Sequence, residues 1–226
     1  MHDSNRSGHG MDDANQGWAL LSSALAADAL DVLGMREQCL AYDVRPLEPT
    51  QRVVGRAFPV HSQPATSTAP TTPYEGLMAA LDDLTADSVF VFETGRSDAA
   101  GVWGELITTA CVATGIAGAL TDGLIRDVSI VLESGFPVFS RGATPYDSKG
   151  RVDVVSHGAP IVIDGVTISA GDLVVGDADG VCIVPAEVEL EVLELVRQKR
   201  EGEGSFRDAV RGGTSISDAF RRFGVP

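Results

Sequence analysis

The chain is predicted to be a single mixed α/β domain, a β-sandwich-like core of twisted sheets flanked by helices and ending in a helical C-terminal arm. Three observations predict it. Helical and strand patterns alternate through the first 135 residues, and a series of short β-rich runs follows Gly135. The third is the long charged segment after Pro185, which carries an apolar stripe at helical spacing and reads as the arm.

Residues 1–16 are polar, without periodicity, and read as a disordered tail; the domain is taken as 17–226. Between Trp18 and Leu33, Leu21, Leu25, Ala29 and Leu33 recur every four residues, which argues an amphipathic helix stopped at Gly34. Val53-Val54 and Ala57 to Val60 read as a strand interrupted by Gly55-Arg56. Ser62 to Pro73, rich in Ser, Thr and Pro, reads as a rim or lid loop. A helix from about Tyr74 to Leu84 and a buried strand at Ser88 to Phe92 follow. Glu105 to Thr114 looks helical, entered through Gly104, and Ile116 to Leu120 looks like a strand. Asp122-Gly123 is a turn signal, with a short helix starting around Asp127.

The β-rich runs are Pro137 to Ser140, Val152 to Ser156, Pro160 to Ile163, Val166 to Ser169, Leu173 to Gly176 and Val181 to Val184. Asp164-Gly165 between two apolar triplets is a hairpin signal. Pro185 opens a long helix with Val188, Val192, Leu195 and Val196 on one face. A last short helix begins near Ser215, with Asp218 three residues on, and carries Phe220 and Phe223.

Composition narrows the function. The 226 residues are 44% hydrophobic and 22% charged, an ordinary globular balance. A net charge of −15 argues against binding nucleic acid, whose phosphates this surface repels. No secretory segment or run of spanning length appears, so a soluble cytoplasmic protein without membrane attachment is expected. Cys39, Cys111 and Cys182 lie far apart without metal-ligand spacing and read as buried free thiols. His2 and His9 read as solvated tail residues. With only His61 and His157 in the folded part, Ser140, Thr144 and Ser148 have no evident catalytic partners. Asp177-Ala178-Asp179-Gly180 lacks the further ligands of a calcium loop and reads as a turn. There is no Walker loop and no zinc pattern.

Two motifs remain. Arg126-Asp127 follows a strand and a turn, where α/β proteins gather ligands; Asp127 can hold a hard divalent cation and Arg126 can face an anion. An Asp there can equally be a helix N-cap beside a surface Arg. In Gly104-Glu105-Leu106-Ile107 a glycine precedes a helix start, whose unpaired amides suit a carboxylate, although it can also be a simple loop break. Brought together, Glu105, Arg126 and Asp127 would form the site of a metal-dependent lyase acting on a 2-oxo acid.

With these residues in view, the chain resembles the RraA-like family, which includes a regulator of ribonuclease E activity and the 4-hydroxy-4-methyl-2-oxoglutarate and 4-carboxy-4-hydroxy-2-oxoadipate aldolases. The resemblance runs from about Leu21 to Pro226. It rests on Ser23 to Leu30, Trp103 to Ala110, Thr121 to Asp127, Pro145-Tyr146-Asp147-Ser148-Lys149-Gly150-Arg151, Gly171 to Pro185 and the closing Phe220 to Pro226. It implies a fold of the swivelling β/β/α type and a homo-oligomer, trimer or hexamer.

The aldolase branch carries an acid, a twenty-residue spacer and Arg-Asp, which fall here on Glu105, Arg126 and Asp127. The resemblance implies that Asp127 binds Mg2+ or Mn2+, partly through water, and that Arg126 contacts the substrate's oxo group. Amides of Gly104, Glu105, Leu106 and Ile107 would take its carboxylate, and Glu105 would steer a water of the ion's shell. The chain departs in having Glu105 where characterised aldolases commonly have Asp, which moves the carboxylate by about 1 Å or more. Family aldolases also draw a glutamate from a neighbouring subunit, for which Glu201 and Glu203 are candidates.

The implied activity is cleavage of a 4-hydroxy-2-oxo (di)carboxylic acid to pyruvate through an enolate, with decarboxylation of oxaloacetate through the same enolate. Lys149 and Lys199 both lie outside the motif, so a Schiff base is not required. The rival reading is a non-catalytic regulator that docks on a ribonuclease or another protein. A menaquinone methyltransferase finds no support, since no glycine-rich loop for a methyl donor is visible.

Overall fold

The computed structural model describes residues 17–224; the expected tail at 1–16 lies outside them. They fall into two compact units, residues 22–186, and residues up to Leu21 together with those from Glu187 onward. The elements of the larger unit are α1 (Ser23–Val32), β1 (Arg45–Pro46), β2 (Val53–Pro64), α2 (Glu75–Asp82), β3 (Ser88–Glu93), β4 (Gly101–Trp103), α3 (Glu105–Thr114), β5 (Gly118–Thr121), β6 (Leu124–Ile125), α4 (Val128–Glu133), β7 (Val138–Ser140), β8 (Val152–His157), β9 (Ile161–Ile163), β10 (Val166–Ile168), β11 (Leu173–Asp177) and β12 (Gly180–Val184). The smaller unit holds α5 (Glu189–Arg211) and α6 (Ile216–Phe223). The architecture is the predicted mixed α/β one, with a C-terminal helical arm.

One eight-stranded mixed sheet runs in the order β1-β7-β5-β3-β2-β11-β12, with β8 also on β2. The strands β2, β3, β5 and β7 are parallel, as chain crossovers through helices require. Strand β2 organises the sheet: its first half pairs with β11, its second half with β8, and β3 lines its other edge. One face buries Val53, Val89, Val91, Leu120 and Phe139 against Ile161, Ile163, Val166 and Ile168 of the β9–β10 hairpin. The other face buries Phe90, Phe92, Trp103, Ile125, Val131 and Phe136. Each such large side chain, fully buried, contributes roughly 1.5–3 kcal/mol.

Local chemistry explains where the strand and helix limits differ from expectation. The periodicity from Trp18 predicts an early helix start, but Ser22 stops it: its hydroxyl accepts from Leu25 N at 3.2 Å, so α1 begins at Ser23. Strand β2 does not break at Gly55-Arg56. It runs unbroken to Pro64, and Gly55 is needed because a Cβ there would lie 2.6 Å from the Asp87 carbonyl oxygen. The predicted loop therefore begins only after Pro64. Asp164 and Gly165 take positive φ of 52° and 86° and close the β9–β10 hairpin as expected. Pro185 is followed by a 3-10 turn, Ala186–Val188, before α5. Ser215 caps α6 by accepting from Asp218 N at 3.1 Å. No helix among the described residues is long and apolar enough to cross a membrane.

Candidate functional site

The predicted residues meet because two short strands pair in parallel. In the β4–β6 ribbon Gly101 lies opposite Leu124 and Trp103 opposite Ile125, and Arg126 N donates to the Trp103 carbonyl at 2.9 Å. The next residues on each strand, Gly104-Glu105 and Arg126-Asp127, are thereby set side by side. Trp103 anchors the ribbon from below, stacked on Phe136 at 6.0 Å, while its Nε1 donates to Thr108 Oγ1 at 2.8 Å. That hydroxyl in turn donates to the Gly104 carbonyl at 2.9 Å, fixing the start of α3.

Asp127 occupies the position before α4, yet its side chain makes no capping bond there. Its backbone is left-handed, φ 57° and ψ 34°, a conformation uncommon outside glycine although Asp tolerates it better than most. From there the carboxylate turns toward α3, and Oδ2 accepts from Glu105 N at 3.3 Å and lies 3.4 Å from Arg126 Nε. Gly104 makes this approach possible, because a Cβ on it would sit 2.7 Å from Asp127 Oδ2. Of the four amides expected to receive a carboxylate, that of Glu105 is thus already engaged. Those of Leu106 and Ile107 are free first-turn donors among the described residues. The Leu106 side chain itself points to solvent.

Sequence reasoning missed two members of this cluster. Asp147 lies 3.3 Å from Arg126 Nη1 and accepts a 2.7 Å hydrogen bond from the Tyr74 hydroxyl. Burial pushes Asp147 up, but the Tyr74 hydroxyl, Arg126 and the amides of Lys149 and Ser148 outweigh it and hold the carboxyl below its ordinary value. Burial, and then the Asp147 contact, raise the Tyr74 phenol. Asp147 reaches the site through a parallel bridge between Gly101 and Asp147, with Gly101 N donating to the Tyr146 carbonyl at 2.9 Å. The Pro145 to Arg151 stretch was the only signal available, and it named no role.

Together these residues line a cleft of about 160 Å³ whose walls include Leu77, Met78 and Trp103. A larger hollow of about 650 Å³ adjoins it, sharing Tyr74, Leu77 and Ser148, and the 66–72 stretch of the expected rim loop lines it. The lining of the smaller cleft holds three carboxylates, Glu105, Asp127 and Asp147, and a single guanidinium, that of Arg126. An anionic ligand would be repelled there without further positive charge. Asp127 Oδ1 has no hydrogen bond among the described residues and is a hard donor. No group of three or more His, Cys, Asp or Glu side chains among them could hold an ion alone. The donor set suits a cation that keeps most of its own water, as Mg2+ does when bound through one or two carboxylates.

The remaining candidates lie elsewhere. His61 pairs with Glu93 and His157 with Asp83 at 2.9 Å. Ser140 Oγ donates to the Gly142 carbonyl at 3.2 Å. The Asp177 to Gly180 stretch is the β11–β12 turn, and Asp177 binds Ser23 rather than a metal. Glu201 and Glu203 form pairs along α5 with Arg197 at 2.7 Å and Arg207 at 3.1 Å. Of the cysteines, Cys111 and Cys182 are buried as expected, but Cys39, in an isolated bridge to β12, is exposed.

Known proteins similar to this chain are diverse in name. A Halalkalibacterium halodurans protein provisionally named 4-hydroxy-4-methyl-2-oxoglutarate aldolase is 30% identical over 184 residues, covering 81% of this chain and 82% of that one. Protein DlpA of Legionella pneumophila is 28% identical over 198 residues, or 88% of this chain, which spans only 32% of DlpA. Among crystal structures, an uncharacterized protein from Pseudomonas syringae pv. tomato matches with a TM-score of 0.81 and 31% identity, covering 92% and 96% of the two chains. Streptomyces coelicolor RraAS2, described as an unusual member of the RNase ES inhibitor RraA family, matches with a TM-score of 0.76 and 29% identity, covering 85% and 95%. A family model described as RraA-like, aldolase/RraA, matches residues 23–183, a span that contains every residue of the charged cleft. The chain belongs to the RraA-like family.

Proposed function

We propose that the chain is a divalent-metal-dependent class II aldolase that cleaves a 4-hydroxy-2-oxo (di)carboxylic acid to pyruvate, and that it also decarboxylates oxaloacetate. The observation that carries this reading is Asp127, whose carboxylate leaves its own helix uncapped and turns to the Gly104-Glu105 junction beside Arg126. A cap of its own helix would face the other way. Held by Asp127, Mg2+ or Mn2+ would supply positive charge to the substrate's 2-oxo and carboxylate oxygens.

The protein's own residues do the rest. The free amides of Leu106 and Ile107, at the positive end of α3, receive the substrate carboxylate. Arg126 faces the oxo oxygen, where negative charge grows as the carbon–carbon bond breaks. Glu105 positions a water that takes the proton from the 4-hydroxyl and later returns one to the enolate carbon. Asp147, held in turn by the Tyr74 hydroxyl, pairs with the guanidinium at Nη1.

The test is pyruvate release from oxaloacetate and from a panel of 4-hydroxy-2-oxo acids, with Mg2+ or Mn2+ and with EDTA. Turnover is expected only with the cation. Turnover that survives full chelation would overturn the metal-dependent reading, and no turnover on any substrate would return the chain to the binding-protein reading. We further propose a homotrimer or hexamer in which a neighbour completes the cleft, since no group of three or more ion-binding side chains lies among the described residues of one chain. Light scattering at micromolar concentration is expected to give three or six times the 23.6 kDa chain mass, and a monomer would count against it.

A further inference from the structure

Cys39 and Cys182 are separated by most of the chain, yet they stand directly opposite each other in an isolated antiparallel bridge. The hydrogen bonds flanking them run from Leu40 N to the Val181 carbonyl at 3.0 Å and from Ile183 N to the Gln38 carbonyl at 2.8 Å. That pattern makes Cys39 and Cys182 a non-hydrogen-bonded pair, the closer of the two antiparallel types, with Cα atoms about 4.5 Å apart. Disulfides span Cα separations of about 4.4–6.8 Å, so the two sulfurs can join without moving the backbone far.

The two thiols are unlike. Cys182 is fully buried in β12, whereas Cys39 is exposed beside a hollow of about 150 Å³ lined by Ser23, Ala24, Ala27 and Asp179. The hydrogen bond with Cys182 lowers Cys39 to about 7, against its partial desolvation and the charge of Asp31, which push it up. The same bond, and then burial, raise Cys182. Burial alone raises Cys111 to about 12, so that thiol stays inert. A thiolate is the reactive form, and Cys39 is the cysteine that can supply it near neutral pH.

We propose that Cys39 and Cys182 are a peroxide-responsive pair that closes to an intrachain disulfide, Cys39 attacking and Cys182 resolving. The Cys39 sulfur attacks one oxygen of hydrogen peroxide, the O–O bond breaks, and the departing hydroxide takes a proton to become water. Cys39 is then a sulfenic acid. The Cys182 sulfur attacks the Cys39 sulfur, the S–O bond breaks, and the departing hydroxide leaves as a second water with the Cys182 proton. The two thiols are oxidised by two electrons and one peroxide is reduced to two waters. A neutral oxidant suits the site, because Asp31 and Asp179 and the chain's net charge of −15 disfavour anionic disulfides such as oxidised glutathione.

The experiment treats the full-length protein with a few equivalents of hydrogen peroxide and counts free thiols after denaturation. Three thiols are expected to fall to one, and non-reducing peptide mapping should join the Cys39 and Cys182 peptides. Cys182→Ala should stop at a sulfenic acid on Cys39, trapped by dimedone. Should that core change prevent folding, the surface change Cys39→Ser still decides the matter, since it should protect the remaining thiols. Three thiols surviving peroxide, a crosslink between chains, or undiminished thiol loss in Cys39→Ser would each overturn the proposal.

Discussion

Asp127→Ala is expected to abolish cation-dependent pyruvate release while the protein stays folded. The expectation follows from where the carboxylate points. A helix-capping Asp gives up about 1 kcal/mol when truncated; Asp127 makes no such bond to its own helix, and its one cap-like contact is to the first amide of α3. What truncation removes is the acceptor for Glu105 N at 3.3 Å and the anion 3.4 Å from Arg126 Nε. Alanine is less at ease than Asp in the left-handed conformation, a strain on the order of 1 kcal/mol. Asp127→Asn separates that strain from charge, because Asn tolerates the same backbone and keeps the shape. Both variants should lose measurable Mg2+ or Mn2+ affinity by calorimetry. The Asn variant should melt near the parent, and the Ala variant a few degrees below. Unchanged kcat and cation affinity in both would end the assignment of Asp127 as the metal-holding residue.

How far the sequence could be read depended on whether a feature was local. The helix at Glu105–Thr114 and the Asp164-Gly165 hairpin are set by neighbouring residues, and they fold as read. Glu105, Arg126 and Asp127 were legible as a group through their spacing within the family pattern. Their actual proximity comes from the β4–β6 ribbon, which spacing does not reveal. Gly55 misled because a glycine forced by a close carbonyl looks, in sequence, like a glycine that breaks a strand. Ser22 misled because one capping hydroxyl outweighed a sustained apolar period. Asp147 and Tyr74 stayed hidden because their meeting is a tertiary event: they are 73 positions apart and share only a hydrogen bond across the cleft. The Cys39–Cys182 pairing was hidden for the same reason.

Arg126→Ala is expected to depress kcat by about 10²–10³ while cation binding is largely kept, the loss typical of one donor aimed at developing charge. The guanidinium is positioned for that work from both sides, Nε toward Asp127 at 3.4 Å and Nη1 toward Asp147 at 3.3 Å. Two carboxylates flank it while it lines the cleft. Arg126→Lys should recover little, because a compact ammonium cannot engage both carboxylates and still present a planar fork to the substrate. A purely structural Arg126 gives a different pattern. Its side chain is about one-third exposed, 34%, so screened ion pairs of this kind contribute at most about 1 kcal/mol. Removing them would lower the melting temperature slightly and leave kcat per folded molecule intact. Steady-state kinetics, cation titration and thermal melting on the same three proteins separate the two. A fall in kcat with affinity preserved and no rescue by Lys is the expected result. Parental kcat in Arg126→Ala would remove Arg126 from the chemistry and leave it as a spacer between Asp127 and Asp147.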